Sequence, residues 1–374
     1  MTRRVLYIHG IGQIGGAERD LQTMLQELDR SAWEPVVACP ADGAFQGTLR
    51  QAGLTVVPLD LPPWRKWLSF FARRAAVERL RGLIERLQPS VVHVNDIWWV
   101  PHTLSAVRSS KSSRRPVVAH VRQEIETDKV GRYHLDRADF VIAISRHIEG
   151  ALARGGVKPD KVRTIYSGLR FNTLSHDDAG RTGLCRALGL SDTVLLLGTV
   201  ANLFPRKGYH VMLQALPAIM EAVPAVHYVL IGTGDDRYAE SLKQLARDLG
   251  IADRVHFAGF RNPVEPVLAA LDLYVHPALM EGFGIAVVEA MAQGKAVVAT
   301  TTGGLPEVVD HEQTGLLVDP GSPSQLSKAV VDLLSDGSRR ERMGKLAAVQ
   351  ARERFDVDKT VRAMESLYRT LLDR

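Results

Sequence analysis

The sequence predicts an α/β fold made of two doubly wound domains, each with a mainly parallel sheet. Short runs rich in Val and Ile alternate with helical patterns along the chain. Continuous apolar runs of this kind are typical of parallel strands that are buried on both faces. The chain has 374 residues, which exceeds one core at roughly 150 residues per domain. We therefore expect two domains that divide near residue 170.

The strands and helices are predicted in the following order. Strands in the first half cover residues 5–9, 35–39, 55–59, 91–94, 116–120 and 139–145, with the clearest helices at 17–28 and 68–87. Residues 167–192 contain few long apolar runs, and we expect them to link the halves. Strands in the second half cover residues 193–200, 227–232, 254–260, 271–277, 295–300 and 315–320, with helices at 238–249, 325–334 and over the last thirty residues. Such folds bind ligands at the carboxyl ends of parallel strands.

Composition excludes several classes of protein. Apolar residues make up 45% and charged residues 24% of the chain, which is typical of globular proteins and excludes a disordered chain. No apolar run approaches the about 20 residues of a membrane span. Cys39 and Cys185 cannot form a disulfide framework or a four-cysteine zinc site. Glycines interrupt the apolar start of the chain, so we expect no targeting segment.

Positive charge is concentrated in the first half. Residues 1–170 hold 26 basic and 17 acidic side chains, whereas the remainder holds 21 and 25. Arg65, Lys66, Arg73 and Arg74 stand beside aromatic residues, which favours contact with an anionic membrane surface. A solvated helix face is the alternative. No nucleic-acid partner is expected, because no motif of that kind is present.

A glycine-rich loop follows the first strand. Gly10, Gly12 and Gly15 have the spacing of a dinucleotide-binding fingerprint, and NAD-dependent dehydrogenase is a candidate function on these glycines alone. The acidic residue that the fingerprint needs after the second strand is missing, and Asp42 comes late. Glycines allow the backbone to approach a ligand, and a helix N-terminus attracts anions. A tight turn without a ligand is the alternative.

The second half carries more specific motifs. Glu281 and Glu289 flank a turn with two glycines, and the pattern predicts a helix that starts near Gly284. The backbone amides around this start would bind an anion or sugar hydroxyls, although Glu281 could instead only cap the helix. Arg206 and Lys207 follow a predicted strand, where two cations suit a diphosphate. Exposed surface cations are the alternative there.

These motifs resemble those of the family-4 retaining glycosyltransferases. The resemblance is carried by E-G-F-G-I-A-V-V-E at 281–289, P-R-K-G at 205–208 and G-G-A-E-R at 15–19, and is strongest over 193–320. It implies a GT-B fold, in which two Rossmann-like domains face a central cleft. Residues 1–170 would then bind the acceptor and residues 171–354 the nucleotide-sugar donor. The terminal helix, residues 355–374, would cross back onto the first domain.

The resemblance also implies roles for single residues. Lys207 would bind the donor diphosphate, Glu289 the ribose and Glu281 the donor sugar. His120 would lie beside the reacting centre, so His120 and Glu281 are the catalytic candidates. The remaining donor-site candidates are Gly15, Gly16, Asn202, Arg206, Gly232, Phe260, Arg261, Gly282, Phe283, Gly284 and Ile285.

One position departs from the family pattern. Family members often carry Arg where this chain has Asn202, so either Arg206 compensates, the diphosphate is held more weakly, or the donor differs. Asp356 and Asp358 match an Asp-x-Asp motif only literally, since they open the terminal helix. The resemblance implies no metal and no cofactor, since GT-B enzymes of this type neutralise the leaving diphosphate with side-chain cations and a helix N-terminus.

The expected activity is transfer of a sugar, with retention, from a UDP- or GDP-sugar to a glycan or lipid-linked acceptor. Cell-envelope polysaccharide or glycolipid synthesis is the expected context, in the cytoplasm at the inner face of the membrane. A nucleotide-sugar epimerase or a phosphorylase with the same fold is the alternative enzyme. A non-catalytic membrane-binding protein is the alternative outside enzymes.

Overall fold

The computed structural model describes residues 2–64, 70–110, 115–171 and 178–373. It divides the chain into two compact units. The first contains Met1–Gly168 together with Val357–Arg374, and the second contains Leu169–Asp356. Each unit has one parallel sheet with helices, so the predicted α/β architecture is confirmed.

The described residues of the first unit form a seven-stranded sheet in the order β3-β2-β1-β4-β5-β6-β7. All neighbouring strands are parallel. The strands are β1 Arg3–Ile8, β2 Trp33–Cys39, β3 Thr55–Pro58, β4 Val91–Val94, β5 Val117–Val121, β6 Phe140–Ala143 and β7 Val162–Thr164. Strand β7 was not predicted, because it has three residues and its central Arg163 is exposed.

Seven helices pack with this sheet in the described part of the unit. They are α1 Gly16–Glu27, α2 Phe45–Gln51, α3 Phe70–Leu87, α4 Val100–Ser109, α5 Thr127–Arg132, α6 Arg146–Arg154 and, from the end of the chain, α15 Val357–Leu372. Helix α15 buries Val361, Met364 and Tyr368 in one core with Leu21 and Leu25 of α1. Burial of this apolar face holds the end of the chain in the first unit.

The described residues of the second unit form a six-stranded parallel sheet in the order β10-β9-β8-β11-β12-β13. The strands are β8 Leu195–Val200, β9 Val226–Ile231, β10 Val255–Gly259, β11 Leu273–His276, β12 Val297–Thr300 and β13 Gly315–Val318. The helices are α7 Asp178–Leu188, α8 Tyr209–Ala222, α9 Asp236–Asp248, α10 Glu265–Ala270, α11 Ile285–Ala292, α12 Leu305–Val308, α13 Pro323–Ser335 and α14 Gly337–Phe355.

The segment expected to be a linker is partly structured. Helix α7 lies within residues 167–192 and belongs to the second unit. Arg181 on this helix holds it in place, because its guanidinium lies 3.0 Å from Asp272 and donates to the Ala270 and Val194 carbonyls at 2.8 and 2.6 Å. Sequence reasoning missed the helix because its polar contacts depend on residues about 90 positions away.

Each sheet reverses its strand order once. In the first unit the reversal lies between β1 and β4, and in the second between β8 and β11. Loops that follow the two central strands leave in opposite directions at such a point, and ligands bind in the crevice they leave. Ligand-binding residues are therefore expected at the carboxyl ends of these four strands.

The place of α15 in the first core yields a stability prediction. Met364→Ala should lower the free energy of unfolding by about 2–5 kcal/mol, the usual cost of such a core truncation. Arg362→Ala on the exposed face of the same helix is the matched control and should leave stability unchanged. Urea unfolding followed by circular dichroism measures both. Equal stability of the two variants would contradict the packing of α15.

Candidate active site

Two loops meet where β8 and β11 end in the second unit. The loop after β8 contains the 3₁₀ turn Pro205–Lys207, and the loop after β11 contains Glu281. The Arg206 carbonyl accepts hydrogen bonds from the amides of Leu279 and Met280 at 2.8 and 3.2 Å. The backbone of one loop is thus fixed against the backbone of the other.

Gly208 makes this close approach possible. Its φ is +70°, in the left-handed region, and a Cβ atom there would lie 1.8 Å from the Pro277 carbonyl oxygen. Only glycine can occupy such a position without moving the neighbouring loop. The final glycine of the P-R-K-G motif is therefore required by packing, and it places Lys207 beside the loop that follows β11.

Lys207, His276 and Glu281 form a compact polar cluster. The Lys207 Nζ lies 2.5 Å from Glu281 Oε2, and the His276 Nε2 lies 2.8 Å from the same oxygen. The Lys207 and Glu281 side chains are each 12% exposed. The Tyr274 hydroxyl lies 3.2 Å from His276 Nδ1 and extends the cluster into β11. One carboxylate oxygen therefore receives both a cation and an imidazole.

The charges in this cluster follow from its burial and its partners. Burial raises the pKa of Glu281, but Lys207 and His276 outweigh this effect and hold that pKa well below its usual value. Burial lowers the pKa of His276, although Glu281 opposes this. The cluster therefore consists of an ionised carboxylate, a lysine cation and a histidine that is mainly neutral. Such an arrangement can bind an anion at the lysine and hydroxyl groups at the carboxylate.

Glu281 does not cap the helix that follows it, since its carboxylate is engaged by Lys207 and His276. Helix α11 begins at Ile285 after Gly284, whose φ of +104° turns the chain into the helix. Phe283 is buried, with its ring centroid 5.4 Å from that of Phe355. Glu289 lies in the second turn of α11, as the spacing predicts, and its side chain is buried. The turn between the two acids is thus anchored by an aromatic contact.

The other donor-site candidates of the second unit follow the carboxyl ends of β8, β9, β10 and β11. Asn202 and Arg206 are exposed in the loop after β8, and the Arg206 guanidinium lies 5.9 Å from the centroid of the Phe204 ring. Gly232 follows β9, and a Cβ there would lie 2.1 Å from the Ala201 carbonyl oxygen. Phe260 and Arg261 are exposed after β10, whereas Gly282 is buried. Among the described residues, Arg206 forms no ion pair with a carboxylate.

His120 lies in β5 of the first unit, one residue before the strand ends. The strand continues to Val121, which pairs with Ala143 of β6, so it is one residue longer at this end than the predicted strand. Its side chain is buried, its ring centroid lies 5.4 Å from that of His93, and neither ring nitrogen has a hydrogen-bond partner among the described residues. Burial and the nearby Arg122 hold the pKa of His120 well below its usual value. The imidazole is therefore neutral near pH 7.

The glycine-rich loop of the first unit is packed closely. A Cβ at Gly10 would overlap the Trp99 ring at 2.0 Å, and one at Gly12 would lie 2.0 Å from the Asp42 carbonyl oxygen. Gly15 caps α1, and Gly16 is its first residue. The first two glycines of the apparent dinucleotide fingerprint are therefore explained by contacts within the unit, without a cofactor.

Sequence reasoning missed several polar residues at the ends of β1, β4 and β5 and in the first two turns of α1. They are His9, Glu18, Asp20, Asn95, Asp96 and Arg122, and they are linked by the contacts His9–Glu18, His9–Asp96, His9–Asn95, Asn95–Arg122 and Arg122–Asp20. A signal was present, because each of these strands ends in a polar–aliphatic–polar triplet, Y-I-H, H-V-N or H-V-R. Alternation within an otherwise apolar run indicates that one face is polar.

Two of the four basic membrane candidates, Arg73 and Arg74, lie in the first half of α3. Arg65 and Lys66 lie outside the described residues. Arg74 is exposed, and the Arg73 guanidinium lies 4.4 Å from the centroid of the Trp64 ring. Phe70 and Phe71 are 69% and 81% exposed. In the described parts of the chain, no helix is long and apolar enough to cross a membrane.

Comparison with known proteins identifies the class. Residues 185–350 match the family described as glycosyl transferases group 1, and residues 15–168 match a glycosyl transferase 4-like domain. The D-inositol 3-phosphate glycosyltransferase of Corynebacterium diphtheriae is 31% identical over 392 residues, which cover 96% of this chain and 90% of that protein. The chain therefore belongs to the group 1 glycosyltransferases, and it is an enzyme that transfers sugars.

Two further proteins are similar over different lengths. The GDP-mannose-dependent alpha-(1-6)-phosphatidylinositol monomannoside mannosyltransferase of Mycobacterium tuberculosis is 34% identical over 222 residues, 56% of each chain. The crystal structure of Anabaena HepE in complex with UDP and glucose has a TM-score of 0.84 and 26% identity, covering 97% of this chain and 98% of that one. Such matches confirm the GT-B type of fold for the two units.

The Lys207–Glu281 pair yields a second prediction. Lys207→Ala should lower the free energy of unfolding near pH 7 by about 3–5 kcal/mol, because it leaves a buried carboxylate without its cation. Adding Glu281→Gln should restore part of the loss. In the wild type the pair's contribution to the free energy of unfolding is fully present above pH 4.5, the usual pKa of the Glu281 carboxyl. It is lost as the pH falls through the lower pKa that this carboxyl has in the folded state.

Chemical unfolding at pH 7 and at successively lower pH measures these effects. Lys345→Ala is the matched control, because Lys345 forms an exposed pair with Glu341 at 2.6 Å and exposed pairs contribute little. A Lys207→Ala variant as stable as this control would contradict the coupling of Lys207 to Glu281.

Proposed function

We propose that the enzyme transfers a sugar, with retention of the anomeric configuration, from a UDP- or GDP-sugar to a glycan or lipid-linked acceptor. The observation that carries the proposal is the Lys207–Glu281 pair at the strand-order reversal of the second unit. A cation for a diphosphate and a carboxylate for sugar hydroxyls are adjacent there. The complex of HepE with UDP and glucose supports a UDP-sugar, and the name of the mycobacterial relative keeps GDP as a candidate.

In this proposal each donor-site residue has a physical task. Lys207, with Arg206 in the same turn, stabilises the negative charge of the departing diphosphate. The first amides of α11 add donors, since the helix makes its first backbone bond only from Val287 to Gly284. Glu289 binds the ribose, and Glu281 orients the sugar while its charge offsets the oxocarbenium character of the transition state.

The same proposal assigns the reaction sequence. The glycosyl–phosphate bond breaks, and the acceptor oxygen attacks on the same face of the sugar. The leaving phosphate takes the acceptor proton, so no closely spaced carboxylate pair of the kind used by retaining hydrolases is needed. His120 is proposed to act as a neutral hydrogen-bonding group near the reacting centre, and its low pKa supports that state.

The domain roles are part of the proposal. The second unit binds the donor and the first unit binds the acceptor. Relatives act on chemically different acceptors by name, such as D-inositol 3-phosphate and a phosphatidylinositol mannoside. A lipid-linked or anionic acceptor suits the basic first half of this chain, and the enzyme would then work in the cytoplasm at the inner face of the membrane.

A donor-binding experiment tests the proposal. UDP, GDP and ADP are compared by thermal shift and calorimetry, and a ligand at 100 times its dissociation constant should stabilise the protein by about 2.7 kcal/mol. Lys207→Ala should lower the affinity for the preferred nucleotide about 10- to 100-fold, because a charge-assisted hydrogen bond to the diphosphate is lost. Lys243→Ala on the exposed face of α9 is the control and should bind normally.

The products are then identified by NMR with the preferred donor. A new glycoside with the donor's anomeric configuration supports the proposal. An inverted product contradicts the retaining part, whereas an epimerised nucleotide sugar or a free sugar phosphate favours the epimerase or phosphorylase alternative. Absence of binding to all three nucleotides would overturn the donor assignment.

Contact with an anionic membrane is a separate part of the proposal. Phe70 and Phe71 are exposed in the first turn of α3 beside the exposed Arg74, which suits insertion of aromatic rings between acidic headgroups. The protein should sediment with vesicles of phosphatidylglycerol and phosphatidylcholine at 50 mM salt, and less at 500 mM. The double variant Phe70→Ser with Phe71→Ser should not bind the vesicles, because the apolar contact with the membrane is lost.

Leu346→Ser with Val349→Ser is the matched control, since these two residues are also exposed apolar side chains on one helix, α14. This variant should bind vesicles like the wild type. Equal binding of the wild type to pure phosphatidylcholine would contradict the electrostatic part, and normal binding by the double-phenylalanine variant would contradict the role of α3.

A further inference from the structure

A single histidine connects both ends of the glycine-rich loop in the first unit. His9 follows β1, and the loop of residues 10–15 leads from it to α1. Asp96 follows the adjacent strand β4, and Glu18 lies in the first turn of α1. The His9 side chain is fully buried between these two carboxylates. The proposed function gives this histidine no task.

The contacts form a clamp, which we define as His9, Glu18 and Asp96. His9 Nε2 lies 3.1 Å from Glu18 Oε1, and His9 Nδ1 lies 3.1 Å from Asp96 Oδ2. Glu18 accepts a hydrogen bond from the Gly15 amide at 2.9 Å, and Asp96 accepts one from the Gly10 amide at 3.2 Å. Each carboxylate thus holds one end of the loop, and His9 joins the two carboxylates.

The contact with Glu18 is a close ion pair and not a hydrogen bond, since His9 Nε2 has no hydrogen-bond partner among the described residues. Protonated imidazole carries the positive charge that two carboxylates can share. Burial disfavours the charged form of His9, but Asp96 and Glu18 outweigh burial and raise the pKa of His9 to about 9. The Asn95 amide nitrogen lies 3.1 Å from Nδ1 and offers a donor when that nitrogen loses its proton. Deprotonation would therefore remove the positive charge that Glu18 and Asp96 share, while the Asn95 contact, which is already present, would remain.

The other groups around His9 do not replace the clamp. The Phe45 ring of α2 contacts the imidazole edge to face, with centroids 5.1 Å apart, and carries no charge. Arg122 after β5 is held by Asn95 and by Asp20 of α1. The charged groups nearest to His9 are therefore Glu18 from α1 and Asp96 from the β4 loop, with the Arg122–Asp20 pair behind Asn95.

We propose that His9 is a positioning residue that, by joining Glu18 to Asp96, holds residues 10–15 in the shape that presents Gly15 and Gly16 to the substrate. The substrate part rests on the proposed function, whereas the clamp itself rests on the contacts of the first unit. The packing of Gly10 against Trp99 and of Gly12 against Asp42 leaves the loop little space for another conformation. This packing fixes the first half of the loop, so loss of the clamp would act mainly on Gly15 and the start of α1, where Glu18 accepts a hydrogen bond from the Gly15 amide.

The first two tests of the clamp are NMR titration and hydrogen exchange, which do not require enzymatic activity. Histidine ¹³Cε1 NMR should show His9 titrating near pH 9 in the wild type and at lower pH in Asp96→Asn. The stabilising contribution of His9 is complete below pH 6.5 and is lost as the pH rises through 9, because its folded-state pKa is raised. Amide hydrogen exchange of Gly10 and Gly15 at pH 7 should become at least tenfold faster in His9→Gln.

Turnover of UDP-glucose, measured as UDP release, tests the positioning role. The wild-type kcat/KM should decline as the pH rises through 9, since the clamp loses its proton. His9→Gln should be reduced about tenfold at pH 7.5 and should lack this decline, because its side chain does not titrate. His147→Gln is the matched control, since His147 forms a more exposed pair with Glu124 at 2.7 Å.

The outcomes separate this inference from the proposed function. A His9 midpoint at or below 6.5, or unchanged glycine exchange in His9→Gln, overturns the clamp whatever the activity. If the clamp is present but His9→Gln keeps the wild-type kcat/KM and its pH profile, the positioning role is wrong. If the wild type does not consume UDP-glucose, turnover is measured with the sugar of the nucleotide that the binding experiment prefers; failure with every nucleotide sugar would overturn the proposed function and the positioning role, while the NMR and exchange results still decide the clamp. Asp96→Asn repeats each measurement if His9→Gln does not fold.

Discussion

The structure depends on one constraint, which is that parallel strands buried on both faces have almost no place for charge except at their ends. Backbone groups along the strands are paired within the ladder, and the surrounding side chains are apolar. Charged residues therefore gather where the strands stop. In each unit one buried charged cluster stands at the carboxyl ends of the two strands where the order reverses, β1 with β4 and β8 with β11.

Each cluster stabilises a buried charge, but this charge is negative in the second unit and positive in the first. In the second unit one carboxylate, Glu281, is shared by Lys207 and His276, so its negative charge is stabilised. In the first unit one imidazole, His9, is shared by Glu18 and Asp96, so its positive charge is stabilised. A buried charge is tolerated only with such partners. The second cluster leaves groups suited to phosphate and hydroxyls, whereas the first uses its charges to hold backbone amides.

Glycine has a consistent role beside both clusters. Gly12 and Gly208 each lie where a Cβ would overlap the backbone of a neighbouring loop. The loops can come this close only because the side chain is missing. This explains why the G-x-G-x-x-G spacing imitates a dinucleotide motif, since glycines required by loop packing and glycines required by a phosphate follow the same strand-to-helix turn. The spacing alone does not distinguish them.

Some properties of this protein were determined by sequence alone. Periodicity and alternation are local, so they identified the α/β class and most strands, and the motif around Glu281 and Glu289 identified the glycosyltransferase family. Tertiary structure decided which polar groups share one partner. His276 lies five residues from Glu281, but Lys207 is 74 residues from it and Asp96 is 87 from His9, and no local pattern reports such distances. Strand β7 was missed because it is short and its central Arg163 is exposed, and helix α7 was missed because Arg181 on it is held by Ala270 and Asp272, which are distant in sequence. Charge states also depend on burial and partners, which only the folded chain brings together.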